Sequence, residues 1–250
     1  PGEEGYTNEF YKKFWPYIKK YVIDSFNKSL RVGNLSISQR QGIINLIPKQ
    51  NKDPRFLKNW RPITLLNQDY KLLSKCLANR CKGILPEIIS PDQTGFISGR
   101  VIGTNIMRVH NLINYCKTKE IDGLLVCIDF EKAFDSIEWD FMLSALKLFG
   151  FPQIFIDWIQ TLYTDIESRV INNGHMSSIF SPKRGVRQGC PLSPTLFVIA
   201  IELLSLYVKY DPILQGIQGL DGRYLISQFA DDTSFEILND KENVDRKSVV

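Results

Sequence analysis

The sequence predicts an α+β chain in which an antiparallel sheet is backed by helices. Three observations carry that expectation. Apolar residues recur at helical spacing over several long segments. Short strand-like runs stand between them, in the order βα, a β-rich insertion, α, then ββ. The last run, YLISQFADDTSFEIL, reads as a β-hairpin with two adjacent carboxylates, Asp231 and Asp232, at its tip.

Taken in order, NEFYKKFWPYIKKYVIDSFNKSL places Phe10, Phe14, Tyr17 or Ile18, Tyr21 or Val22, Phe26 and Leu30 at helical spacing. Pro16 is a potential kink, and VGN is the stop signal. QGIINLIPK is a short strand ending at Pro48. The polar loop after it leads into a second strand within RPITLL. QDYKLLSKCLANRCKGILPEII predicts an amphipathic helix with Tyr70, Leu73, Leu77 and Ile84 on one face. After the Gly/Pro-punctuated loop SPDQTGFISGR, GTNIMRVHNLINYCKTK is a further helix. GLLVCIDF lacks alternation, which predicts a strand buried on both faces and ending on Asp129. Asp135 is expected as a helix N-cap, with Glu138 completing a capping box. That helix ends at Gly150, and PQIFIDWIQTLY is another. Strand-like pieces follow in SRVINNG and MSSIFSPKRGV. QGCPLSPTLFVIAIELLSLYV is then an almost wholly apolar, buried helix, with Ser193 at its N-cap and Pro194 at its first position.

Composition narrows the function. At 44% hydrophobic and 23% charged, the chain is an ordinary globular one, without low-complexity stretches or repeats. The apolar run from Leu196 to Tyr207 is broken by Glu202 and reads as too short to span a bilayer, so no membrane partner is expected. No signal-peptide pattern opens the chain, and there is no Met at position 1, as expected of a fragment. Five cysteines without C-x-x-C spacing, and only two histidines, argue against zinc and for free thiols in an intracellular compartment. Residues 40–100 hold eleven Lys and Arg against four Asp and Glu, a net +7, while the remainder is net −3. A basic segment joined to a carboxylate-rich one suits a polyanionic substrate and a metal site.

If the strand ending on Asp129 neighbours the hairpin, three carboxylates meet. Such a cluster is unfavourable without cations. Two Mg²⁺ ions, or Mn²⁺ in their place, would neutralise it through oxygen ligands. Paired metals of this kind support in-line phosphoryl or nucleotidyl transfer without a histidine base.

DFEKAFDSIEW, GVRQGCPLSPTLF and FADD, in this order, resemble the palm motifs of reverse transcriptases, in particular those of non-LTR (LINE-type) retrotransposons. LIPK, NWRPITLLNQDYKLLSKCLANR and DQTGFISGR resemble the fingers motifs of the same family, so the resemblance runs from about Gln39 to Ile237. It implies the fingers and palm of a right-hand polymerase that copies RNA into DNA as part of retrotransposition. The expected partners are an RNA template, a DNA primer and deoxynucleoside triphosphates. It implies Asp129 and Asp231 as the main metal ligands, Asp232 as a weaker one, and Phe130 contributing its backbone. Phe134 would be the steric gate against a 2′-hydroxyl. Lys49 and Arg61 would hold the triphosphate, and Gln188 and Gly189 would pack against template base and nucleotide. Arg100, Arg184 and Arg187 would contact nucleic-acid phosphates.

The expected organisation is an N-terminal helical extension over 1–36, fingers over 37–120 and palm over 121–250, with 152–185 adding to the fingers. NDKENVDRKSVV would open the next palm helix, and the chain is expected to stop short of a thumb. The expected place of action is nuclear. Two rivals accompany this reading. One is an RNA-directed RNA polymerase or another palm polymerase, against which Phe134 and the RQGCPLSP pattern count. The other is a non-enzymatic nucleic-acid-binding remnant, against which the intact Asp trio counts.

Overall fold

The computed structural model describes residues 2–219 and 222–240. In chain order the helices and strands are α1 (Asn8–Val32), α2 (Ile37–Arg40), β1 (Gln41–Pro48), β2 (Trp60–Leu66), α3 (Gln68–Cys81), α4 (Leu85–Ile88), α5 (Ile102–Lys119) and β3 (Gly123–Ile128). They continue with α6 (Ala133–Ser136), α7 (Trp139–Leu148), α8 (Gln153–Tyr163), β4 (Glu167–Asn172), β5 (His175–Met176), α9 (Ser193–Tyr210), β6 (Ile217–Gly219), β7 (Gly222–Tyr224), β8 (Ile226–Phe229) and β9 (Asp232–Leu238). The helix expected within 239–250 falls mostly on residues 241–250, outside the described ones.

The chain divides into two compact units. One comprises Pro1–Arg80 and Phe134–Ser193, the other Cys81–Ala133 and Pro194–Val250. In the first, α1 runs through Pro16 as one helix. It stops where Gly33 turns left-handed at φ 76°, with the Gly33 and Asn34 amides donating to Leu30 and Ser29, a Schellman closure. The sheet has the order β2-β1-β4-β5, with β1 antiparallel to β2 and parallel to β4. Tyr70, Leu73, Leu77, Met142, Leu146, Ile159 and Leu162 are buried, as the apolar periodicity of α3, α7 and α8 requires, and Leu66 at the end of β2 is buried with them. Ile84 departs from its expected face. The helix breaks after Cys81, and Ile84 stays 46% exposed. The expected cap at Asp135 is also corrected: Asp135 lies inside the short α6, and α7 starts behind Glu138 as its N-cap.

In the second unit, β3, β9 and β8 form an antiparallel sheet in that order, and β6–β7 is a small separate ribbon. One sheet face packs Leu124, Val126, Ile128, Ile226, Phe235 and Ile237 against Leu204 and Val208 of α9. β3 therefore corrects the two-faced expectation. It is the end strand of its sheet, buried on one face only, and Leu125 on the other is 45% exposed. An unbroken apolar run does not distinguish one covered face from two. The helix α9 corrects another reading, since its 18 residues are long and apolar enough to cross a membrane by composition alone. More than half of it is buried inside the protein, including Leu196, Phe197, Val198 and Ile199. Ser193 is its first helical residue, and the Ser193 hydroxyl donates to the Arg187 carbonyl at 2.8 Å.

Candidate active site

Asp129 follows the last residue of β3, and Asp231 and Asp232 close the β8–β9 hairpin. Ile128 pairs with Thr233, so the next step of the antiparallel register sets Asp129 opposite Asp232. Alternation puts both on the sheet face that α9 leaves uncovered, together with Cys127 and Ser234. Phe229 pairs with Asp232, which leaves a two-residue loop of Ala230 and Asp231. Ala230 has φ 57° and Asp231 does not have positive φ, the φ signs of a type II′ turn.

Asp231 is held above the ordinary carboxylate pKa. Partial burial is the largest cause, and the negative charges of Asp232 and Asp129 add to it. The adjacent Asp pair and Asp129 therefore feel one another, which is the electrostatic situation that a cation relieves. All the donors are hard oxygens, the type preferred by Mg²⁺ and Mn²⁺. Among the described residues, however, no three His, Cys, Asp or Glu side chains are gathered tightly enough to ligate one ion together. Phe130 is half-buried directly after Asp129.

The other unit holds most of the remaining candidates. Lys49 closes the β1–β2 loop, its amide donating to the Asn59 carbonyl at 2.7 Å. Arg61 pairs in register with Ile47, so alternation puts Lys49 and Arg61 on one face of that ladder, the solvent face. Phe134 is half-buried in α6, and its carbonyl accepts from the Val186 amide at 2.8 Å. Gln188 is tied on two sides: its amide side chain donates to Asp135 Oδ1 at 2.9 Å, and its carbonyl accepts from the Thr64 amide at 2.8 Å. Gly189 is required twice over. Its φ is 103°, and a Cβ would stand 2.4 Å from the Thr64 carbonyl oxygen. The Gly185 amide donates to Ile137 at 2.7 Å, and the Trp139 indole donates to the Gly185 carbonyl at 2.9 Å. The loop 184–190 is thus fastened to β2 and to the segment 134–139.

The three expected phosphate contacts fare differently. Arg184 is exposed and pairs loosely with Glu138 at 3.4 Å. Arg100 is turned to the chain itself, its guanidinium donating to the carbonyls of Pro86, Ile89, Ser90 and Gln93. Arg187 is buried, 6% exposed, and its guanidinium lies 5.0 Å over the Tyr70 ring. For Arg100 and Arg187 the cation has a partner inside the fold, which charge and spacing alone do not disclose.

Sequence reasoning assigned DQTGFISGR to the fingers by resemblance and gave no role to its first residues, which hold the carboxylate hairpin. Asp92 is buried and ion-paired to Arg108 and to Lys209, the latter at 2.5 Å. The Gln228 amide donates to the Asp92 carbonyl, and the Gln228 carbonyl accepts from the Thr94 amide, both at 2.9 Å. Residues 92–94 thereby extend the sheet beyond β8. Gln93 is wholly buried beside the turn. The available signal was a polar DQT stretch in a loop otherwise punctuated for turning. Glu236 was missed too. It is 1% exposed, accepts from the Ser234 hydroxyl at 2.8 Å, and is pushed above the usual carboxylate pKa by burial.

A family model described as "Reverse transcriptase (RNA-dependent DNA polymerase)" matches residues 47–247. Over 236 residues the chain is 33% identical to the Transposon TX1 uncharacterized 149 kDa protein of Xenopus laevis, covering 93% of this chain and 18% of that protein. It is 28% identical over 239 residues to the RNA-directed DNA polymerase from mobile element jockey of Drosophila funebris, covering 93% and 25%. The chain thus spans about a fifth to a quarter of the length of these relatives. Among solved structures, telomerase from Candida tropicalis in complex with a TWJ fragment of telomeric RNA aligns with a TM-score of 0.61 at 14% identity, over 95% of this chain and 41% of that one. That likeness bears on the fold, which is the right-hand polymerase fold.

Proposed function

Because the chain belongs to the reverse transcriptase (RNA-dependent DNA polymerase) family, we propose that it is the fingers and palm portion of a non-LTR retrotransposon polymerase, extending a DNA primer on an RNA template. The observation that carries the proposal is the carboxylate trio, Asp129 beside the Asp231–Asp232 turn, lying inside the family match. The family uses divalent metal ions. Here Asp129 and Asp231, with Asp232 outside them and the Phe130 backbone alongside, would hold two Mg²⁺ or Mn²⁺ ions. When bound, the metals activate the primer 3′-hydroxyl and neutralise charge developing on the α-phosphate. Lys49 and Arg61 bind and orient the triphosphate, the latter able to make forked contacts. Gln188 and Gly189 present the fastened loop to template base and nucleotide. Phe134 excludes the 2′-hydroxyl, so deoxynucleotides are selected.

The test is primer extension on an RNA template by the full-length protein. Asp231→Asn is expected to reduce the rate by at least about 10²-fold, on the scale of a lost transition-state electrostatic group. Phe134→Ala is expected to raise ribonucleotide use at least tenfold relative to deoxynucleotide use. Extension by Asp231→Asn at the wild-type rate rejects the site. Unchanged sugar choice in Phe134→Ala returns that ring to simple packing.

A further inference from the structure

We infer that Gln93 is a positioning residue for the metal-binding hairpin: its side-chain amide holds the Ala230 peptide in a left-handed conformation and so sets the direction of Asp231. The inference rests on the polymerase reading of the Asp trio. Gln93 has no exposed surface, and both ends of its amide are used on one turn. Gln93 Oε1 accepts from the Ala230 amide at 2.8 Å and from the Gly95 amide at 2.8 Å. Gln93 Nε2 donates to the Ala230 carbonyl at 3.0 Å. One side chain therefore grips both the N–H and the C=O of the residue that precedes Asp231.

That residue needs gripping. At φ 57° an alanine sits where L-residues with a Cβ are disfavoured, and the first loop position of such a hairpin is ordinarily glycine. Ala230 is buried and its peptide groups face the 93–95 segment rather than water, while the Thr233 hydroxyl ties the next carbonyl, that of Asp231, at 3.2 Å. The fit is close on the other side. A Cβ on Gly95 would stand 2.2 Å from the Ala230 nitrogen, so glycine there is what lets the clamp reach the turn. The clamp is itself anchored. Asn105 donates to the Gln228 carbonyl at 2.8 Å, and Asp92, one residue before Gln93, is pinned by Arg108 and Lys209. A carboxylate aimed by a single φ angle loses its direction when that angle is released, and ligand direction is what a metal site requires.

The experiment uses the full chain with Mn²⁺ as the probe, read by water-proton relaxation, together with amide hydrogen exchange. Gln93→Met keeps the length of the side chain and removes both polar ends. It is expected to fold cooperatively, to exchange the Ala230 and Gly95 amides at least tenfold faster, and to weaken Mn²⁺ binding at least threefold. In an Ala230→Gly background, where positive φ carries no Cβ penalty, the loss caused by Gln93→Met is expected to shrink at least twofold. Should Gln93→Met fail to fold, Gln93→Asn keeps both polar ends and the neutral charge but withdraws them by one methylene, and a measurable weakening of Mn²⁺ binding is still expected. Wild-type affinity in whichever of these variants folds overturns the inference and leaves the active-site reading in place. Identical Mn²⁺ titrations of wild type and Asp231→Asn overturn the active-site reading, and the positioning role with it.

Discussion

At Asp231 the fold holds a carboxylate in surroundings that disfavour its charge. Burial, Asp232 and Asp129 raise its pKa above that of the unfolded chain. The folded state thus binds this proton more readily than the unfolded state. Its unfavourable contribution is absent below the usual carboxylate range and grows as pH rises through the raised value. Without divalent metal, Asp231→Asn is therefore expected to raise the melting temperature at pH 7, by no more than about 2 °C for a group this exposed. The difference should vanish by about pH 3, where the carboxylate is protonated in both states. Mg²⁺ should then stabilise the wild type more than Asp231→Asn. Thermal melts over pH, with and without Mg²⁺, measure both effects, and equal metal-induced shifts would reject the site.

Among the elements, the loop 184–190 depends most on glycine. Gly189→Ala combines a left-handed backbone with a Cβ facing the Thr64 carbonyl at 2.4 Å, so β2 or the loop must give way. A destabilisation of about 2–4 kcal/mol is expected, from positive φ and overpacking together. Gly103 is the control. It lies in α5 with open space around its Cβ position and no positive φ, so Gly103→Ala should stabilise by roughly 0.5–1 kcal/mol. Urea unfolding of both variants reads the difference. A neutral Gly189→Ala would mean that the bonds from Gln188 and Val186 do not fix the loop.

Over the whole molecule the charge is more localised than the sequence reading had it. The +7 of residues 40–100 belongs entirely to 40–80, where nine Lys and Arg face two Asp; residues 81–100 are balanced. That stretch lies within a single compact unit, and Lys52, Arg55, Lys58, Arg61, Lys75 and Arg80 are exposed on it. RNA binding should therefore weaken steeply with salt, with a log–log slope of roughly −2 to −4 if three to five phosphates are contacted. Lys58→Ala should reduce that slope by about 1, whereas Arg187→Ala, buried over Tyr70, should leave it unchanged and destabilise the fold. Filter binding across ionic strength decides this, and a flat dependence removes the electrostatic reading.

By itself the sequence determined the long helices, the two hairpin-forming runs β1–β2 and β8–β9, and the identity of the carboxylate trio. These are local signals: apolar residues at a 3.6 period, turn residues between short strands, and a motif order that survives without knowledge of contacts. Only the tertiary structure decided which face of β3 is covered, because an apolar run reads alike at the edge and in the middle of a sheet. It alone showed that Arg100 and Arg187 turn inward, since a cation's partner comes from elements distant in sequence. The same holds for Gln93, a neutral side chain in a loop 137 residues away from the turn it grips. Hydrogen-bonding groups find partners by three-dimensional proximity, and no periodicity in the chain encodes that proximity.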